Sequence, residues 1–172
     1  MAKPVTRPPF IISTSDLPEE PDRYPETEEI LSYDRAIGRT AELVRLGLHV
    51  LRLQPGHRAS WPHAEEKEEE FVYVLDGDVD AWIDGVLYPM TVGDLAAFPA
   101  GTGICHTFIN NANQDAKLLV GGETNKSDNR IFYPLHPHRQ RQRPPGTWWD
   151  DIPLRPQGDH DGLPDAQRTT CK

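Results

Sequence analysis

Residues 61–77, WPHAEEKEEEFVYVLDG, set His63 just ahead of five carboxylates in six positions (65–70), and the chain then runs into an apolar, β-favouring stretch. Imidazole and carboxylate at short spacing are the donors that hold divalent metals, and carboxylates crowded together in a buried place serve as general acids and bases. Residues two apart on a strand share a face, so His63 and Glu65 can point together, while Glu70, Val72 and Val74 form a second set of opposite parity. Both sets face inward only if the chain turns or bulges between 66 and 69, and the polar EKEE suits such a turn. A solvated acidic turn is the competing reading. It is the expectation for Glu66, Glu68 and Glu69, because runs of like charge stay in water. Glu70 opens an apolar strand and is expected to be buried.

The elements that must position these groups are strands. Short β-rich runs alternate with turn signals every 8–12 residues or so, the pattern of an all-β sandwich or barrel. AELVRLGLHVLRL stops at Pro55-Gly56, EFVYVLDG at Asp76-Gly77, and GDLAAFPAG at Pro99-Ala100-Gly101. VDAWIDGVLYPM reads as a hairpin because Asp84-Gly85 suits a type I′ turn. CHTFINN and AKLLVGGE supply two further strands. The weak helical candidate is ETEEILSYDRA. The 17 prolines gather towards the two ends, where they favour extended chain. The expected organisation is an N-terminal arm over 1–40, a small antiparallel β-barrel over 41–133 and a Pro-rich tail over 134–172.

A chain of 172 residues can bury one real core. Its net charge of −9 argues against nucleic acid and anionic membranes as partners, since both need a basic footprint. No apolar run approaches the ~20 residues that cross a bilayer. The opening MAKPVTRPPFIISTSDLPEEP lacks the apolar core of a secretory signal, so a cytoplasmic location is expected. The two cysteines, Cys105 and Cys171, make no disulfide framework.

Two stretches resemble the signature motifs of the cupin superfamily. Gly56, His63, Glu70 and Gly77 follow the first motif, and GDLAAFPAGTGICHTFIN supplies Gly93, Pro99, Gly101, His106 and Asn110 of the second. The resemblance spans 43–122 and is similar to that of bacterial single-domain cupins carrying a PAGTG loop. It implies a jelly-roll-like antiparallel β-barrel holding one divalent metal. The ligand set it implies here is His63, Glu65, Glu70 and His106, with glutamate at position 65 where the family has its second histidine. The loop from Gly101 to His106 is also two residues longer than the family's.

Two imidazoles and two carboxylates suit Fe(II), Mn(II), Ni(II) or Zn(II). His63, Glu65 and His106 alone match the two-His, one-carboxylate set of non-heme iron oxygenases, with Arg45 and Arg52 as cosubstrate-binding candidates. The implied function is a metal-dependent enzyme acting on a small oxygenated metabolite, of dioxygenase, isomerase or lyase type, with Glu65 and Glu70 as catalytic carboxylates. The alternative is a metal-free small-molecule-binding cupin without chemistry. A metal-free sugar isomerase or epimerase using His63 with Tyr73 is a third reading. Homodimerisation is the expectation for assembly.

Other residues have blander readings. Cys105 faces away from His106 on a regular strand, so packing is expected. Trp82 and Tyr73 read as core aromatics. His57 can replace a missing ligand or lie on the surface. His136 and His138 have metal-like spacing in what reads as a surface loop. Arg139, Arg141 and Arg143 form a basic cluster able to meet an anion. Trp148-Trp149 is the tail's apolar anchor, expected to dock on the barrel or a second subunit.

Overall fold

A computed structural model describes residues 7–124 and 126–168; Cys171 lies outside them. The elements in chain order are β1 (Glu20–Pro21), β2 (Tyr33–Ala36), α1 (Ile37–Thr40), β3 (Leu46–Leu53), β4 (Ala64–Glu65), β5 (Glu70–Asp76), β6 (Val79–Ile83), β7 (Val86–Met90), β8 (Leu95–Phe98), β9 (His106–Ile109), β10 (Ala116–Glu123), β11 (Ile131–Phe132) and α2 (Arg139–Gln142). These strands pair antiparallel in a six-stranded sheet β1-β2-β3-β10-β5-β8, a three-stranded sheet β7-β6-β9 and a small β11-β4 pair, and Ile131 adds a parallel bridge to Trp148. The architecture is the expected all-β antiparallel one. No helix among the described residues is long and apolar enough to cross a membrane.

Strand alternation decides what each sheet buries. Leu53 of β3, Val72 and Val74 of β5, and Ala116 and Leu118 of β10 meet Val79, Ala81 and Met90 of the hairpin and Phe108 of β9 in one core. Each large apolar side chain removed from water there is worth about 1.5–3 kcal/mol. Residues of the other parity on the three-stranded sheet, Trp82, Cys105 and Ile109, form a second cluster on its outer side, closed by Trp149. Cys105 is therefore a packing residue, and burial pushes its thiol up to about 12. The hairpin turn is as expected: Asp84 and Gly85 both have positive φ, 48° and 85°, the type I′ signature.

The terminal segments are part of the body. Residues 33–36, read from sequence as the end of a weak helix, form strand β2 on the edge of β3, and helix appears only as the single turn α1. The run of β-pairing between Tyr33–Ala36 and β3 outweighs local helical propensity. At the other end, Gly158 donates its N–H to the Asp84 carbonyl, His160 donates to that of Gly85, and Arg155 pairs with Asp84 at 2.6 Å. The tail thus straps the hairpin turn. Any side chain at Gly85 would overlap the Gly158 backbone.

Candidate metal centre

His63 lies directly across from His106 in an antiparallel bridge; each backbone N–H donates to the other's carbonyl, at 3.1 and 2.9 Å. Such a hydrogen-bonded pair projects both side chains to one side, and the rings stand 4.9 Å apart. Glu70, the first residue of β5, arrives from the opposing sheet. Its Oε2 is 3.9 Å from Nε2 of His63 and 3.7 Å from Nε2 of His106. These separations are too long for hydrogen bonds and suit donors arranged around a common point. One ligand atom from each of His63, Glu70 and His106 lies within 4.8 Å of the others.

The rings are held from behind. Nδ1 of His63 donates to the Trp61 carbonyl at 2.9 Å and Nδ1 of His106 to the Ile104 carbonyl at 3.2 Å, which leaves both Nε2 lone pairs facing Glu70. Carbonyl acceptors at the far nitrogen are the usual orienting partners of metal-ligating histidine. Phe98 stacks on His106 at 3.5 Å, nearly parallel, and fixes the ring plane. Nε2 of His106 is buried without a hydrogen-bond partner. A buried polar atom left unpaired costs about 1–3 kcal/mol, so its orientation calls for something in the middle. Burial, aided by the neighbouring His106, takes His63 down to about 4. Burial works against the charge of Glu70 as well, yet the two imidazoles hold its carboxyl below the usual range.

Glu65 lies beside this group and outside it. It occupies β4, paired with Ile131, and shares with Glu70, Glu68, Phe98, Thr102 and His106 a cavity of about 10 Å³. Burial, with Glu70 and Glu68 close by, raises its carboxyl to about 8. A wider opening of about 180 Å³ joins the same carboxylates to Gly47, His49, Val120 and Glu123. Of the three residues expected in water, Glu69 is exposed, Glu66 is clamped by Arg130 at 2.7 and 2.8 Å, and Glu68 lines the cavity.

The remaining candidates have other employment. Asn110, at the end of the second motif, is wholly buried and staples a turn, donating to the carbonyls of Leu53 and Gln114. Arg52 is on the outer face, bonded to Glu19 and Asp115, and is no cosubstrate clamp. His57 engages the Ile30 carbonyl. His136 stacks on Trp61 at 4.1 Å, and Arg139 is buried against Tyr24, Trp61 and Tyr133, so these two belong to an aromatic clamp, while His138 and Arg141 are exposed. Trp148 and Trp149 dock on the body as expected. Sequence reasoning missed His49, whose Nδ1 meets both carboxylate oxygens of Asp34 at 3.0 and 2.9 Å. Its signal was a histidine at an inward position of LGLHVLRL.

The family model for the cupin domain matches residues 49–122. Among solved structures, a sugar phosphate isomerase from a cupin superfamily, from Silicibacter pomeroyi, is 28% identical with a TM-score of 0.67, covering 72% of this chain and 80% of its own. A candidate sugar phosphate isomerase from Acidithiobacillus ferrooxidans is 23% identical with a TM-score of 0.70, over 86% of this chain and 96% of its own. The polyketide cyclase RemF from Streptomyces resistomycificus is 22% identical with a TM-score of 0.59, over 80% and 95% respectively. The last two likenesses concern the fold alone. No curated protein matches the chain.

Proposed function

Because the chain belongs to the cupin superfamily and its His63, Glu70 and His106 converge, we propose that it is a metal-dependent enzyme catalysing proton transfer on a small hydroxy-carbonyl compound, an isomerase-type reaction. The observation that carries this reading is the buried Nε2 of His106, unpartnered and aimed with Nε2 of His63 at one carboxylate oxygen. The donor set of two imidazoles and a carboxylate fits Fe(II), Mn(II), Ni(II) or Zn(II). Such an ion supplies Lewis-acid polarisation of a carbonyl, which acidifies the neighbouring C–H. Isomerase chemistry is favoured over oxygenase or lyase chemistry by the 28% identical neighbour and by Glu65.

Glu65 borders both cavities with Glu70. A carboxyl raised to about 8 carries its proton at neutral pH and so acts as an acid towards an oxygen that gains negative charge. The opening is lined by Glu65, Glu68, Glu69, Glu70 and Glu123, with no lysine or arginine among its described lining residues. A phosphate dianion is repelled there, which favours an uncharged substrate over a phosphate ester.

For assembly, we propose pairing through the β8 edge of the six-stranded sheet. β8 ends that sheet, and Leu75 and Leu95 near its edge are 41% and 57% exposed. A second copy is the proposed cover, and sedimentation as a 19.4 kDa species at micromolar concentration excludes it.

Two measurements test the function. Metal-free protein titrated with Co(II) should bind one equivalent with the visible absorption of an imidazole–carboxylate site, and His63→Ala and His106→Ala should abolish it. Dihydroxyacetone in deuterated water should then gain carbon-bound deuterium in the presence of metal-loaded protein. Absence of Co(II), Fe(II), Mn(II), Ni(II) and Zn(II) binding overturns the metal centre and leaves a metal-free binding protein.

A further inference from the structure

β3, β10 and β5 lie side by side, and their inward residues form rows across the sheet. One row is His49, Val120 and Val72; the next is Gly47, Gly122 and Glu70. Two of the three positions in the second row are glycine. A Cβ on Gly47 would meet nothing nearer than 3.8 Å, while the place of a Cβ on Gly122 is closed by the Glu69 carbonyl at 2.8 Å; with no side chain at either position, bare backbone forms the floor of the 180 Å³ opening that His49 and Glu70 also line. A methyl group on Gly47 would already be 3.8 Å from Nε2 of His49, so this nitrogen reaches over the vacated floor.

The other ring nitrogen is committed. Nδ1 of His49 is held by both oxygens of Asp34, a β2 residue brought alongside β3 by sheet pairing. A carboxylate partner needs a donor, so Nδ1 carries the hydrogen and Nε2 of the neutral ring keeps a lone pair. An imidazole oriented by a carboxylate, with its second nitrogen open to a cavity, is the arrangement of a general base. The side chain is 38% exposed, which leaves it in contact with solvent for proton exchange.

We propose that His49, positioned by Asp34, is the catalytic base of this site, standing across the glycine floor from the metal-binding carboxylate. The inference rests on the metal-dependent reading above and adds to it the group that handles the carbon-bound proton. Nε2 takes the proton from the carbon next to the carbonyl. The C–H electron pair moves into a carbon–carbon double bond and the carbonyl pair onto its oxygen, which takes a proton from solvent in the opening, giving an enediol. Return of the proton from Nε2 to the adjacent carbon, with the second hydroxyl giving its proton back to solvent, completes the isomerisation without any redox change. His49 meets Asp34 and Asp22, which favour its protonated form, and Arg39 and burial, which oppose it; the hydrogen bond to Asp34 prevails and raises its titration. A more basic imidazole holds the abstracted proton firmly enough to return it to the neighbouring carbon.

The test uses full-length protein loaded with one metal ion, with dihydroxyacetone as the probe and deuterium uptake at carbon read by NMR. Metal content is measured on the same samples. His49→Gln is expected to lower kcat for exchange roughly 100-fold with KM and metal content unchanged. Asp34→Asn is expected to lower it about tenfold and to shift the acid limb of the rate–pH profile to lower pH, a shift that loss of folding alone does not produce. Wild-type exchange with normal metal content in His49→Gln overturns this inference and leaves the metal-centre reading intact. No exchange by the metal-loaded wild type overturns the isomerase reading and this inference together.

Discussion

The molecule holds two close histidine pairs, and they end in different employment. His136 and His138 are two residues apart, with rings 5.8 Å apart, while His63 and His106 come from distant stretches, with rings 4.9 Å apart. Both pairs contain a buried ring nitrogen without a partner, Nδ1 of His136 and Nε2 of His106. What separates them is the company. His63 and His106 share Glu70 and donate rearward to backbone carbonyls, so their free nitrogens converge. His136 lies flat on Trp61, whose other neighbour is Tyr24 at 4.2 Å, with Arg139 beside the stack. A cation already occupies that neighbourhood. Spacing makes two histidines available; a carboxylate between them and an acceptor behind each make a site.

The largest effect that breaks this contrast concerns metal. His106→Ala should lose the bound ion entirely, because two donors do not hold a first-row metal against water at micromolar concentration. The matched change His136→Ala should leave metal content at the wild-type value and lower only the melting temperature. Elemental analysis of both variants decides it. Loss of metal from the His136 variant would mean that the tail supplies a ligand and that the two pairs are not independent.

Next in size is the clamp itself. Trp61 is 4% exposed and packs with Leu31 and Tyr133 as well as with Tyr24 and His136. Trp61→Ala should cost about 3–5 kcal/mol in urea denaturation. Its indole N–H also donates to Glu29, which holds the buried Arg58 through two hydrogen bonds at 2.8 and 2.9 Å. The N-terminal segment, the barrel and the tail are therefore coupled at one residue. A loss under about 1 kcal/mol, less than burial of a large apolar side chain alone is worth, would show that the clamp does not hold the terminal segments to the barrel.

The same contrast explains what was legible beforehand. The candidate metal ligands and most strands announce themselves locally: turn dipeptides end the runs, alternation names the inward residues, and Glu70, Val72 and Val74 share a parity that the fold honours. Glu65 was expected among the ligands, whereas its place outside the three-residue group depends on where β4 pairs with β11, a contact between positions 65 and 131. Asp34 was hidden in a segment with helical composition that becomes a strand only because β3 offers it an edge. Without that pairing His49 has no partner and no reason to be singled out. Arg139 likewise reads as one of a basic cluster, and only the convergence of three distant aromatic rings explains its burial. Information that crosses the sheet or the tail was out of reach of local pattern.

The smallest effect is a pH dependence, and it sharpens the contrast because both pairs feel it. Burial lowers His136 from 6.5 to about 4, with Arg58 and His138 adding to the effect, and lowers His63 by a similar amount. A histidine kept neutral in the fold but free to protonate when unfolded costs nothing above 6.5. Between 6.5 and about 4 the unfolded chain binds the proton and the folded one does not, so stability falls as pH falls through that window. In metal-free protein both histidines contribute to the fall. His136→Phe keeps an aromatic ring on Trp61 and removes its titration, so urea midpoints at pH 7 and pH 5 should lie closer together than in wild type. The remaining difference belongs to the barrel, and metal binding to the neutral imidazoles should enlarge it, since the ion favours the folded state more at pH 7 than at pH 5. An unchanged separation of midpoints in His136→Phe would mean that the ring leaves Trp61 and protonates before the domain unfolds, which would make the tail the first part of the molecule to open in acid.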